Sequence, residues 1–286
     1  MVLSVLALVN LWLVVTALVT LGAELVTAAP VATLLSIVGP ICAAVVTVWV
    51  AASVARAGHA TLSELDAVEI EPTGWPRTTH VVEQVLIATG LPNMRVAAID
   101  DPVPNALTVG AGRRHTVLII TTGLVERLTR DELEAVIAVQ LCSVARLDVA
   151  VRTMVVACAS GTLLVPQFVS DYLADVWYPT IVKGLTWPCR AAARAMRRSA
   201  YEACEFGADE MAIAITRYPE ALRGALVHML EDERIVGHVT EDNAPLWFEP
   251  MPSPELEREA AHAKHAMAPS LEARIARLDE LTRPFS

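Results

Sequence analysis

The chain alternates between long apolar runs and segments with the polar patterning of a soluble domain. Residues 2–22 carry no charged side chain. As a helix, this run is roughly 31 Å long at about 1.5 Å per residue, which matches a hydrocarbon core of about 30 Å. Residues 31–55 form a second apolar run, in which Pro40 predicts a kink. The pattern predicts an N-terminal transmembrane hairpin over residues 1–55.

A second pair of apolar runs lies in the middle of the chain. Residues 149–169 have the composition of a membrane span. Residues 172–190 are interrupted by Asp175, Lys183 and two prolines, so that a fourth span and a tilted interfacial helix both fit them. The pair predicts a second membrane hairpin over residues 149–190.

The rest of the chain, residues 56–148 and 191–286, has mixed periodicity. Short apolar runs bounded by turn residues predict strands over 94–100, 106–110 and 115–123. Longer periodic runs predict helices over 78–89, 124–128, 191–217, 219–233 and 270–283, with 56–77 as a connecting segment. Thr129 and Glu132 predict a capping box at the start of one more helix. The fold class is an α+β membrane protein, in which a helical domain with a small β-sheet accompanies about four transmembrane or membrane-embedded helices.

Composition supports the membrane assignment and excludes one class of partner. Hydrophobic residues make up 54% of the 286 residues, and the mean hydropathy is +0.47. The net charge of −10 argues against nucleic acid, because phosphate binding needs clustered lysine and arginine. The five cysteines include no C-x-x-C pair and predict reduced thiols rather than a disulfide framework.

Basic residues follow both hairpins on the side of the soluble segments. Arg56 follows the first hairpin, and Arg190, Arg194, Arg197 and Arg198 follow the second. Because cytoplasmic flanks of membrane spans are enriched in lysine and arginine, the pattern predicts an integral membrane protein whose soluble domain faces the cytoplasm.

One stretch of the soluble segments resembles a known family. TTGLVERLTRDELEAVIA at 121–138 is similar to the segment that leads into H-E-x-x-H in the HtpX-like membrane zinc peptidases, which are related to the CAAX prenyl protease and have a gluzincin catalytic domain. The residues that carry this resemblance are Thr121, Thr122, Gly123, Leu124, Leu128, Glu132, Leu133, Ala135, Val136 and Ala138. A following hairpin and a later E-x-x-A-D helix occur in the same order as in the family.

The five-residue motif itself differs. In H-E-x-x-H, histidines four residues apart share one helix face and bind one Zn²⁺, and the glutamate is the general base for the metal-bound water. At the corresponding positions this chain has Val139, Gln140 and Ser143. Valine cannot bind a metal, serine is a weak ligand, and glutamine has no carboxylate to accept a proton. The resemblance therefore predicts a degenerate motif, with no catalytic residue and no bound metal.

Other family positions are retained. The resemblance places Glu205 at the third zinc-ligand position and Asp209 one helical turn later, with Asp148 just after the former metal helix. Without the histidines, pairing of Glu205 with an arginine of the 190–198 cluster is an alternative role. Asn105 and Ala106 match a strand that lies beside bound peptide in relatives, and His115 lies near it in sequence, with a structural or a peptide-side role left open.

Two functions follow from this pattern. In the first, the chain is a catalytically inactive peptidase homologue without cofactor, which binds a protein partner by strand addition along Asn105 and Ala106 and acts as a regulatory, scaffold or assembly subunit in a membrane complex. In the second, it is a working membrane metalloendopeptidase with a non-standard metal site, for which Cys142, Cys204 and Glu205 are the candidate ligands. Elemental analysis for zinc separates the two.

Overall fold

A computed structural model describes residues 12, 16, 31–71, 74–158, 205–231, 246–248 and 271–282. Contacts divide the chain into two compact units. Unit 1 comprises residues 1–54 and 154–200, and unit 2 comprises residues 55–153 and 201–286. The first predicted span, most of the second hairpin and most of 232–270 lie outside the described residues.

The first described element is a long apolar helix, α1 (Val31–Glu64), which contains Pro40. Its residues Ile37–Glu64 have the length and hydropathy of a membrane span, the single such candidate in the described part of the chain. Val48 is 69% exposed, as expected for a side chain that faces lipid. The helix continues nine residues past the predicted end of the span at residue 55. The predicted connecting segment 56–77 therefore begins as a helix, and no proline or further glycine occurs between Gly58 and Pro72 to stop it earlier.

Unit 2 contains a small mixed sheet. Its strands are β1 (Val68–Glu69), β2 (Arg95–Ile99), β3 (Ala106–Gly110) and β4 (Thr116–Thr121), in the order β1-β2-β4-β3. β2 and β4 are parallel, and β3 is antiparallel to β4. Every residue of β3 and β4 is buried. The three predicted strands are confirmed, and β3 lies at one edge of the sheet.

The rest of the described part of unit 2 is mainly helical. Its helices are α2 (Pro76–Thr89), α3 (Thr122–Arg127), α4 (Arg130–Ala145), α5 (Glu205–Thr216), α6 (Pro219–Leu230) and α7 (Leu271–Thr282), and residues 148–158 are also helical. The predicted capping box is confirmed, since the Thr129 side chain accepts from Glu132 N–H and the Glu132 carboxylate accepts from Thr129 N–H. Helix α4 is buried from Ala135 to its end and packs against α2, α5, α6 and β3. It is the centre of the domain.

A glycine accounts for the close fit where the sheet meets α3. A Cβ atom on Gly123 would lie 2.2 Å from the carbonyl oxygen of Pro102. The Gly123 N–H donates to the Asp101 carbonyl at 2.8 Å. Any side chain at this position would push the turn before β3 away from α3, so the glycine of the TTG sequence sets the position of the strand that flanks α4.

Candidate functional site

The middle of α4 forms one wall of a small cavity inside unit 2. The cavity is lined by Val139, Gln140, Ser143, Arg152, Ala208, Phe248 and Arg274. About 10 Å³ is available to the centre of a water-sized sphere, which is room for about one water molecule. The three residues at the predicted zinc-peptidase positions thus share one face of α4, as their spacing predicts.

The polar atoms of these α4 residues are engaged within the protein. Ser143 Oγ donates to the Val139 carbonyl oxygen at 3.1 Å, so the serine hydroxyl is bonded to its own helix. Gln140 Oε1 accepts from Thr108 Oγ1 of β3 at 2.5 Å, and both residues are buried. The hydrogen bond between Thr108 and Gln140 holds α4 to the edge strand.

A buried ion pair closes the opposite side of the cavity. The Arg274 guanidinium on α7 donates to both carboxylate oxygens of Asp209 on α5, with Nη2 and Nε at 2.8 and 2.9 Å. The two side chains are 2% and 5% exposed. Arg274 Nη1 also donates to the Phe248 carbonyl at 3.3 Å, and the guanidinium lies 4.3 Å from the centre of the Phe248 ring. Bidentate geometry and burial make this a strong structural contact.

A short segment, Leu246–Phe248, lies against the outer edge of β3. Phe248 N–H donates to the Ala106 carbonyl at 2.6 Å, and Leu107 and Trp247 form an antiparallel bridge. Trp247 is completely buried. Residues of this chain therefore already bond to the part of β3 that was predicted to receive a partner peptide.

The other predicted site residues take different positions. Glu205 is the first residue of α5, and its side chain lies outside the described atoms. Asp148 accepts from Arg146 Nε at 2.8 Å. Asn105 is fully buried, and its Oδ1 accepts from Ala106 N–H at 2.8 Å. His115 is exposed in the bend between β3 and β4 and does not line the cavity.

Cys142 is next to the cavity residues in sequence but is buried in the core. Burial raises the pKa of its thiol to about 11, although the Arg146 guanidinium acts in the opposite direction. The thiolate is the form that binds metals and attacks electrophiles. At neutral pH the Cys142 thiol is therefore protonated and a poor nucleophile.

We expect Cys142 to resist alkylation in the folded protein. At pH 7, a thiol with this pKa is ionised in roughly one molecule in ten thousand, and its labelling rate should rise about tenfold per pH unit toward pH 11. Brief iodoacetamide treatment followed by peptide mass spectrometry measures this directly. Unfolded protein is the control, in which Cys142 should label readily, and rapid labelling of the native protein at pH 7 would contradict the assignment.

Comparison with known proteins identifies the family. Residues 75–282 match the model of peptidase family M48. The chain belongs to this family. Curated relatives named "Protease HtpX homolog" include that of Tropheryma whipplei (strain Twist), which is 31% identical over 222 residues, covering 73% of this chain and 74% of the relative. The homologue of Levilactobacillus brevis is 26% identical, and the match covers 84% of this chain and 85% of the relative. The homologue of Dictyoglomus turgidum is 29% identical, and the match covers 73% of this chain and 71% of the relative. No solved structure matches the chain significantly.

The predicted resemblance to HtpX-like membrane metallopeptidases is thereby confirmed, so the zinc ion implied by the M48 family can be tested against the cavity. The described side chains do not fit it. Val139 is aliphatic, and the Ser143 hydroxyl is bonded to the helix backbone. Arg274 is paired with Asp209, but Arg152 adds a positive charge to the cavity that no described carboxylate balances, and this charge opposes a divalent cation. Within the described ranges, no three His, Cys, Asp or Glu side chains are grouped so as to hold a metal ion.

Three residues of the cavity lining were not predicted from the sequence. Arg152, Phe248 and Arg274 line the cavity, but they come from three separate parts of the chain. One sequence signal for Phe248 is the apolar triplet Leu246–Phe248, which lies inside an acidic, proline-rich segment. Arg152 is also a charged residue within the predicted second hairpin, where a charge often marks a functional position.

Proposed function

We propose that this M48-family protein is a membrane-anchored pseudopeptidase that does not cleave peptides by the zinc mechanism. The observation that supports it most is the content of the cavity. The two positions predicted for histidine ligands hold Val139 and Ser143, the position predicted for the base holds Gln140, and two guanidinium groups line the same space. A zinc-bound water acidified to neutral pKa needs about three protein ligands. The cavity side chains are suited to packing and hydrogen bonding instead.

In this proposal, the protein acts by binding a protein partner as a regulatory, scaffold or assembly subunit of a membrane complex. The edge of β3 is the surface that receives the partner, by strand addition. Leu246–Phe248 currently bonds to Ala106 and Leu107, so the partner strand displaces this segment. The arginines after both hairpins support an orientation in which unit 2 faces the cytoplasm.

The zinc content of the protein purified from membranes tests the loss of catalysis. We expect far less than one zinc per chain by elemental analysis of the wild type and of Glu205→Ala alike. Near-stoichiometric zinc that disappears in Glu205→Ala would overturn the proposal. Such a result would favour the alternative, a membrane metalloendopeptidase with a non-standard site, which is the function suggested by the word protease in the names of the relatives.

A pull-down from native membranes tests the partner. We expect a stoichiometric partner whose recovery increases with Trp247→Ala, because the variant weakens the segment that competes for the edge of β3. Wild type and the exposed-site variant Tyr218→Ala should recover equal amounts, since Tyr218 is 47% exposed and distant in sequence from the segment. Failure to recover any stoichiometric partner would count heavily against this part of the proposal.

A further inference from the structure

Arg152 is a buried arginine that no described residue neutralises. It lies in the helical residues 148–158 and is 5% exposed. Its Nε atom is buried without a hydrogen-bond partner, and none of the carboxylates in the described ranges forms an ion pair with it. An arginine side chain cannot release its proton in a protein. The Arg152 guanidinium therefore stays positively charged although it is buried.

The other lining residues that the structure describes leave this charge unbalanced. Arg274 is neutralised by Asp209 through two hydrogen bonds. Val139, Gln140, Ser143, Ala208 and Phe248 are uncharged. The described lining of the cavity thus carries one net positive charge in a space largely removed from water. A buried ion without a partner is strongly unfavourable, so such a cavity attracts an anion.

We propose that this cavity is a carboxylate-binding site in which Arg152 supplies the charge. A guanidinium group matches the two oxygens of a carboxylate in a planar, bidentate arrangement. The inner space, about 10 Å³ to the centre of a water-sized sphere, accepts one oxygen atom. Together with the adjoining space that is open to solvent, the cavity measures about 250 Å³, so the rest of the group would lie toward the solvent.

Polar atoms beside Arg152 complete the site. Gln140 uses its Oε1 to accept from Thr108, and its amide nitrogen has no hydrogen bond within the described ranges. This N–H₂ group is a neutral donor for the second oxygen of a carboxylate. The carboxylate comes either from a polypeptide, as a chain terminus, or from a small free acid. The inference deepens the proposed function and rests on it, because it takes the cavity to be free of metal.

Thermal unfolding of the full chain in detergent tests the site, with formate as the probe at constant ionic strength in HEPES buffer. We expect formate to raise the wild-type Tm by roughly 2–5 °C, since a ligand that binds only the folded state stabilises it. Arg152→Met should have a higher Tm than the wild type without formate, because an unpaired buried charge is removed, and should show no response to formate. Arg114→Met, at an exposed arginine in the β3–β4 bend, is the matched control and should respond like the wild type.

Further ligands and variants show whether the natural carboxylate belongs to a polypeptide or to a small acid, and which results would contradict the inference. If the natural ligand is the C-terminus of a polypeptide, trialanine with a free C-terminus should raise the Tm and trialanine amide should not. If only formate raises the Tm, the natural ligand is a small free acid. Arg152→Gln replaces Arg152→Met if the latter does not fold. An equal response to chloride, an unresponsive wild type, or a formate response that persists without Arg152 would overturn the inference. Zinc analysis of the same samples separates this failure from failure of the proposed function.

Discussion

Replacing Arg274 by methionine is expected to lower the free energy of unfolding by about 3–5 kcal/mol. The substitution leaves the Asp209 carboxylate buried without its bidentate partner, and the desolvation cost of that charge is no longer offset. It also removes the hydrogen bond to the Phe248 carbonyl and the guanidinium–ring contact. Asp209→Asn should have a similar effect, because it leaves Arg274 charged and buried.

Chemical denaturation in detergent, with the signal of the buried tryptophan in Leu246–Phe248, measures this loss. Combining Asp209→Leu with Arg274→Met should recover much of the stability, because two packed apolar side chains replace two buried charges. Arg277 and Glu210 offer a matched control on the same two helices: their atoms are 3.3 Å apart, but both side chains are about half exposed. Arg277→Met should therefore change little. Equal losses of unfolding free energy in Arg274→Met and Arg277→Met would show that the buried pair with Asp209 contributes no more to stability than the exposed pair.

Local signals in the sequence were enough to predict most elements of unit 2. The run MRVAAID gave β2 because apolar residues are bounded by turn residues, and the end of α2 followed from Gly90, which adopts φ 68°. The capping box at Thr129 depends on residues three apart. The end of α1 was predicted too early, because the sequence was divided where hydropathy falls at Arg56, although the helix itself continues to Glu64.

Only part of the candidate site could be predicted in the same way. Val139, Gln140 and Ser143 share a helix face because their spacing requires it. The partner of Asp209 is 65 positions away at Arg274, and no local pattern indicates such a pairing. The contact of Phe248 with Ala106 joins residues that are even further apart in sequence. The face of α4 that lines the cavity could therefore be predicted from the sequence, whereas the side chains on the opposite side of the cavity could not.

Restoring the zinc motif with Val139→His, Gln140→Glu and Ser143→His together is expected to give a chain that binds zinc. Histidines at 139 and 143 would share the cavity face of α4, and Glu205 would supply the third ligand predicted from the family resemblance. Structural zinc sites gain about 10–16 kcal/mol from their ligands, so even three ligands in imperfect geometry should raise the affinity by several orders of magnitude. Elemental analysis and competition with a chromogenic chelator measure the gain.

The positive charge in the cavity limits how much the triple variant gains in zinc affinity. Adding Arg152→Met to the triple variant removes a positive charge from the lining of the same cavity, so zinc should bind more tightly than in the triple variant alone. A variant that keeps Gln140 and carries only the two histidines should bind zinc without hydrolysing peptides, because the general base is absent. If the triple variant folds, judged by wild-type-like thermal unfolding, and still binds no zinc, then Val139 and Ser143 do not occupy the ligand positions of an M48 peptidase. Tighter binding on loss of Arg152 would instead show that the cavity repels cations by its own charge, which is the same property that suits it to a carboxylate.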